Sequence, residues 1–202
     1  MMVNRDLFLS LVIFLFFFTA CTKYFSPSEY VNWVKDEKNG LNKVKQIKEV
    51  KIEIQHKPIP FIIANEQRKN DIDIDEYNNR KAELEGLIYF DLRLSINLPN
   101  YDITNYNILS EKEQKDRLYY LSYHMKNDIF LIEGMDTLPC RLYHFERSYD
   151  IAKHRTFILA FDNTNHKDLD KTVVLDTPLF NTGPIKLKFK KEDLINLPLI
   201  NL

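Results

Sequence analysis

From residue 88 to residue 98 the chain alternates without interruption. Ile88, Phe90, Leu92, Leu94, Ile96 and Leu98 occupy one parity, and Tyr89, Asp91, Arg93, Ser95 and Asn97 the other. A period of two sustained that long fits a β-strand with one face on a core. Strands of an all-parallel sheet are covered on both faces and read as continuous apolar runs, so the alternation points to antiparallel pairing. Two other stretches repeat it. Val50, Ile52 and Ile54 alternate with Lys51, Glu53 and Gln55, and Ile185, Leu187 and Phe189 with Lys186, Lys188 and Lys190. Further strand candidates are residues 129–133, 140–147, 156–162 and 172–176.

Helix signals gather earlier in the chain. Ser26-Pro27-Ser28-Glu29 offers an N-cap, a proline at the first helical position and a capping-box glutamate, which predicts a helix over 27–38 stopped by Asn39-Gly40. Residues 61–69 have helical character, and residues 75–85 predict a helix ended by Gly86. A second capping box, Ser110 with Glu113, opens a helix over 110–125 with Leu118, Leu121 and Met125 on its buried side. A short helical turn from Glu192 and an apolar stretch, 197–202, close the chain. No regular βαβ alternation occurs. The expected class is α+β: an antiparallel sheet or sandwich mainly from the C-terminal half, with helices mainly from the N-terminal half.

The first twenty residues read as an address. A polar start carrying Arg5 leads into Leu7–Phe18, LFLSLVIFLFFF. As a helix those twelve residues span about 18 Å, short of the roughly 17–25 residues a membrane span needs. The length fits the apolar core of a signal peptide. Phe18-Thr19-Ala20-Cys21 then sets small residues directly before a cysteine. This resembles the lipobox of bacterial lipoproteins, with Phe18 where the pattern prefers leucine. The resemblance implies cleavage before Cys21, a lipid on its thiol, and acylation of the new amine. Thr22 in place of an aspartate implies sorting to the outer membrane, and the lack of an acidic run after Cys21 argues for the periplasmic face over the cell surface. The expected organisation is a cleaved leader 1–20, a short tether 21–25, and one globular domain 26–202. Tyr24, Phe25, Tyr30 and Trp33 have two readings: a rest in the headgroup region, where amphipathic aromatics are favoured, or core packing at helical spacing for Tyr30 and Trp33. Core packing is the favoured one.

Several chemistries lack their residues. Gly40, Gly86, Gly134 and Gly183 are scattered, so no clustered-glycine loop can cradle a phosphate. There is no CxxC, no HExxH and no GxSxG elbow. With 28 Lys plus Arg against 29 Asp plus Glu, and a pI near 6.5, a general nucleic-acid surface is not expected. With Cys21 lipidated, Cys140 is the remaining thiol, expected buried on a strand. Cys140 and His144 share a strand face but stand about 13 Å apart at 3.3 Å per residue, too far for a nucleophile and its base; His144 and Glu146 are closer. Arg141, Arg147 and Arg155, with His154 nearby, read either as an anion patch or as salt bridges to Glu146, Asp150 and Asp162, the second preferred. Asp71, Asp73, Asp75 and Glu76 resemble the opening of an EF-hand loop, but Glu76 replaces its glycine and Ala82 its closing glutamate. Helix capping explains those acids instead. No metal or cofactor is expected.

The segments YVNWVKDEKNGL (30–41) and DTLPCRLYHFER (136–147) are similar to an uncharacterised family of Gram-negative lipoproteins. That resemblance supports lipidation and a single domain, and carries over no catalytic residue. The expectation is a non-enzymatic, lipid-anchored outer-membrane protein acting through an envelope protein partner, as a complex subunit or an immunity-type protein. The alternatives are a small-molecule or glycan binder using some of the eleven tyrosines, and a hydrolase using carboxylates such as Asp91 or Glu133.

Overall fold

The computed structural model describes residues 23–146 and 154–202. The expected leader 1–20 and lipid-bearing Cys21, and Arg147 and Asp150, lie outside the described residues. In chain order the elements are β1 (Tyr24–Phe25), α1 (Pro27–Lys35), β2 (Asn42–Ile47), β3 (Val50–Lys57), α2 (Ile59–Gln67), α3 (Ile74–Leu84) and β4 (Leu87–Ile96). Next come α4 (Glu111–Tyr119), which runs on through a π turn over Tyr120–His124 and a 3-10 turn over Met125–Asp128, then β5 (Ile129–Glu133), β6 (Asp136–Pro139) and β7 (Leu142–Phe145). The chain closes with β8 (His154–Asp162), β9 (Lys171–Leu175), β10 (Ile185–Phe189), α5 (Lys191–Ile195) and β11 (Leu199–Ile200).

The fold is α+β. A five-stranded sheet in the order β2-β3-β4-β8-β7 faces a four-stranded sheet in the order β10-β9-β5-β6, and every pair in both is antiparallel. Most of the strands come from the second half of the chain and most of the helices from the first. The alternation of β4 sets the architecture. Its even parity, Ile88 to Ile96, meets Ile52 and Ile54 of β3 and Phe157, Leu159 and Phe161 of β8, and packs on Leu131, Val173, Leu187 and Phe189 of the other sheet. Its odd parity turns Tyr89 toward a second core, where Tyr30, Val34, Phe61, Ile63 and Leu84 of α1–α3 cover the sheet's back. Fully burying one such side chain contributes about 1.5–3 kcal/mol. The result is three layers: helices, sheet, sheet.

Tyr30 is fully buried and Trp33 packs beside it, so the core-packing reading holds for both. The first helix ends at Lys35, three residues early. Asp36 caps a separate 3-10 turn over Glu37–Asn39, and Gly40 stops that turn at φ +73°. The helix expected over 110–125 loses its α register at Tyr120. The wider π turn rotates the residues beyond it about the helix axis, so Leu121 and Met125 enter the core while Leu118 stays 47% exposed. The strand expected over 140–147 is the shorter β7, Leu142–Phe145, and Cys140 lies before it, in the link from β6 of the other sheet.

Candidate functional site

The join to the N-terminal segment comes first along the chain. Tyr24 and Phe25 pair in parallel with Leu199 and Ile200. The Leu199 amide donates to the Lys23 carbonyl at 3.0 Å, and the Asn201 amide to that of Phe25 at 2.7 Å. Strand pairing therefore reaches into the segment read as a tether. Only Thr22 separates Lys23 from Cys21. Tyr24 and Leu199 sit side by side, 65% and 46% exposed.

The interior of the sandwich carries polar groups where the alternation leads one to expect apolar ones. His56 follows Ile52 and Ile54 in parity, Glu133 follows Ile129 and Leu131, Lys171 precedes Val173 and Leu175, and Arg155 precedes Phe157 and Leu159. All four are buried, and each is at a strand end. Glu133 and Lys171 are direct cross-strand partners on β5 and β9. Lys171 Nζ pairs with the Glu133 carboxylate, which also accepts from the Thr164 hydroxyl. Burial holds the Lys171 ammonium below its ordinary pKa. His56 stands against Phe90 at 5.3 Å between ring centres, and its Nδ1 has no hydrogen-bond partner among the described residues. Burial, reinforced by the Lys171 charge, pushes the imidazole pKa down to about 3, so the ring is neutral at pH 7. Arg155 closes the opposite end with a buried ion pair to Asp102, its Nε 2.9 Å from Oδ2. Burial alone would raise the Asp102 carboxyl; hydrogen bonds from Thr104 and Arg155 outweigh that and lower it. A buried pair needs compensation for its desolvation, so these ends are where function or specificity is to be sought.

Two concavities accompany these groups. A pocket of 390 Å³ opens at the His56–Lys171 end, between the strand ends, residues 163–169 and the turn after α5. A wider groove of 730 Å³ runs among the described residues between α4 and the Phe145–Arg155 side of the sandwich. Tyr119 and Tyr123 stand along it, 58% and 56% exposed, their rings 5.2 Å apart, with Leu118, Gln114 and Glu111 beside them.

The residues singled out in the sequence take varied positions. Cys140 is half-buried off the strand; its thiol donates to the Leu142 carbonyl at 3.0 Å, and burial pushes its pKa up to about 11. His144 and Glu146 are both exposed. Arg141 pairs with Asp162 at 3.4 Å, as the salt-bridge reading expects, but Arg155 turns inward to Asp102. Asp73 Oδ1 accepts from the amides of Asp75 and Glu76 at 3.0 Å each, so this acid caps α3. Asp91 is held by Lys57 at 3.0 Å, on the parity that faces the helices, while Glu133 lies in the other sheet with Lys171. The two carboxylates are not brought together as an acid–base pair. Among the described residues no group of three or more His, Cys, Asp or Glu is placed to hold a metal ion, and no helix is long and apolar enough to cross a membrane.

The Glu133–Lys171–His56 cluster escaped the sequence reading, though its signal was present as breaks in inward parity. No family model, curated protein or solved structure matches the chain.

Proposed function

We propose that the chain is a lipoprotein of the outer membrane, attached through lipid on Cys21 and facing the periplasm, and that its folded body works by binding a protein partner rather than by catalysis. The observation that carries the anchored reading is the strand pairing of Tyr24–Phe25 with Leu199–Ile200, so close behind the lipobox cysteine. Fully extended, the three residues Cys21 to Lys23 reach only about 10 Å. A body so tethered stays against the leaflet, and the exposed Tyr24 and Leu199 suit the headgroup region. Lipid chains contribute about 0.8 kcal/mol per buried CH₂, and more than one chain is needed for stable attachment.

The partner face in this reading is the side bearing Leu118, Tyr119 and Tyr123. These are large side chains left exposed beside a groove, and tyrosine is enriched at interfaces. The experiment is cross-linking and pull-down of the full chain from whole envelopes, compared with Tyr119→Ala/Tyr123→Ala and with Cys21→Ser. A stoichiometric protein lost with the tyrosine change supports the reading. A yield of no specific protein from the wild type counts against it.

A second reading rests on the same groove. Paired tyrosine faces with Glu111 and Gln114 nearby suit stacking and hydrogen bonding to a sugar. Saturable binding of envelope glycans, abolished by the tyrosine change, would favour it over a protein partner.

A further inference from the structure

The pocket at the His56 end of the sandwich is separate from the tyrosine groove and has a different chemistry. Four lysines line it, Lys57, Lys81, Lys167 and Lys171, and no aspartate or glutamate does. Three of the four have counter-ions set outside the lining. Asp91 holds Lys57 at 3.0 Å, Glu133 holds Lys171, and Glu85 stands 3.8 Å from Lys81. Lys167 has no ion pair among the described residues. The lining therefore carries four lysines whose three acidic partners lie outside it, and one positive charge in excess. Asn163 and Asn165 add amide groups at the same rim. The rest of the wall is different. Ile59 and Leu87 line it from the helix–sheet side, and Leu194 and Leu197 from the C-terminal turn. Its volume of 390 Å³ falls in the range of about 300–1,000 Å³ typical of small-molecule sites.

An inorganic anion would meet the lysines and leave the apolar wall facing water. A neutral apolar molecule would cover the wall and leave the excess charge of Lys167 unanswered. We propose that this pocket binds a small organic anion, its carboxylate or phosphate against the lysines and its hydrocarbon body along Ile59, Leu87, Leu194 and Leu197. Lys171 and the His56 ring line the pocket, and Glu133 stands behind them. The ion pair with Glu133 holds Lys171 at the pocket. The site stands whether or not Cys21 carries lipid, because every residue in it belongs to the folded body.

The probes are hexanoate and hexyl phosphate, with hexan-1-ol and inorganic phosphate as the two half-ligands. They are titrated calorimetrically into the full chain in a non-ionic detergent, with detergent alone as the blank. At least one hexyl anion binds saturably, and it does so about tenfold or more tighter than hexan-1-ol or inorganic phosphate, as a charge-assisted contact and an apolar contact each contribute on that scale. Which of the two anions binds tighter tells a carboxylate ligand from a phosphate one. Lys167→Glu is on an exposed loop; it weakens the anion about tenfold or more and leaves the melting temperature unchanged. Lys167→Gln weakens it less, in the same direction. Lys115→Glu, at the tyrosine groove, has no effect. The proposal is overturned if neither hexyl anion binds, if hexan-1-ol or inorganic phosphate binds as tightly as the anion, or if both Lys167 variants bind like wild type.

Discussion

Acidification from pH 7 to pH 5 should destabilise this protein through one imidazole. His56 is buried against Phe90 and beside Lys171, and its folded pKa lies near 3 against 6.5 for the free side chain. Between those values the unfolded chain takes up a proton that the folded chain refuses. Stability from this group is therefore whole above about pH 6.5 and is lost as the pH falls toward 3. With those two pKa values, the loss between pH 7 and pH 5 is about 2 kcal/mol. At this chain length that corresponds to roughly 4–8 °C in melting temperature. The perturbation is His56→Leu, which removes the titration and the unpartnered Nδ1 while keeping an apolar contact with Phe90. The assay is a thermal melt of both proteins at pH 7 and at pH 5. The readout is the difference of differences, which cancels every carboxylate and histidine the two proteins share. The wild type should lose about 2 kcal/mol more than the variant over that interval. Parallel losses in the two proteins would refute the reasoning, since they would mean that the ring is protonated in the folded state or reaches water.

The same interior sets other outcomes. Lys171→Met alone leaves the Glu133 carboxylate buried without its counter-ion and should cost about 3–5 kcal/mol in urea melts; adding Glu133→Leu should restore most of it. A double variant no more stable than the single one would contradict that account. Cys140, with its thiol pushed up to about 11 from 9.0, should alkylate at pH 8 about 100-fold more slowly than an unperturbed thiol; a rate equal to that of free cysteine would show that the site is open. Gly40→Ala should cost about 1–3 kcal/mol, because the backbone sits at φ +73° and the added Cβ would meet the Asp193 carboxyl at 2.3 Å; an unchanged melt would show that the turn is not fixed.

The elements that could be read from the sequence were those whose own pattern suffices. Residues 88–96 and 50–56 declare a strand by parity, and Ser26 with Glu29 declares a helix start by local hydrogen bonding. What could not be read depends on distant partners. β2 carries Lys43, Lys45 and a single exposed valine, Val44, because it is an edge strand, where charge guards against further pairing. β1 and β11 are two residues each and exist only through each other, nearly the whole chain apart. β6 ends on Pro139, which sits at the edge of its sheet, where a missing N–H is tolerated. The buried polar cluster was hidden for a related reason. Glu133, Lys171 and His56 each look like an ordinary polar residue at the end of a strand. Only the sheet register makes Glu133 and Lys171 neighbours, and only the facing of the two sheets puts His56 beside them. The tyrosine groove runs along the helix where it passes into the π turn at Tyr120, which no residue pattern announces. The pairing of Asp102 with Arg155 was out of reach in the same way, since 53 residues separate them.

The central claim is attachment through Cys21, and one measurement addresses it most directly. The full chain and its Cys21→Ser variant are expressed in a Gram-negative host, partitioned between detergent and aqueous phases, and weighed intact by mass spectrometry. The account predicts that the wild type enters the detergent phase, lacks residues 1–20, and carries added acyl mass on a peptide beginning at Cys21. The variant should keep its leader or leave the detergent phase, with no added mass. A wild-type chain without lipid mass, or a variant processed and partitioned like the wild type, would contradict it.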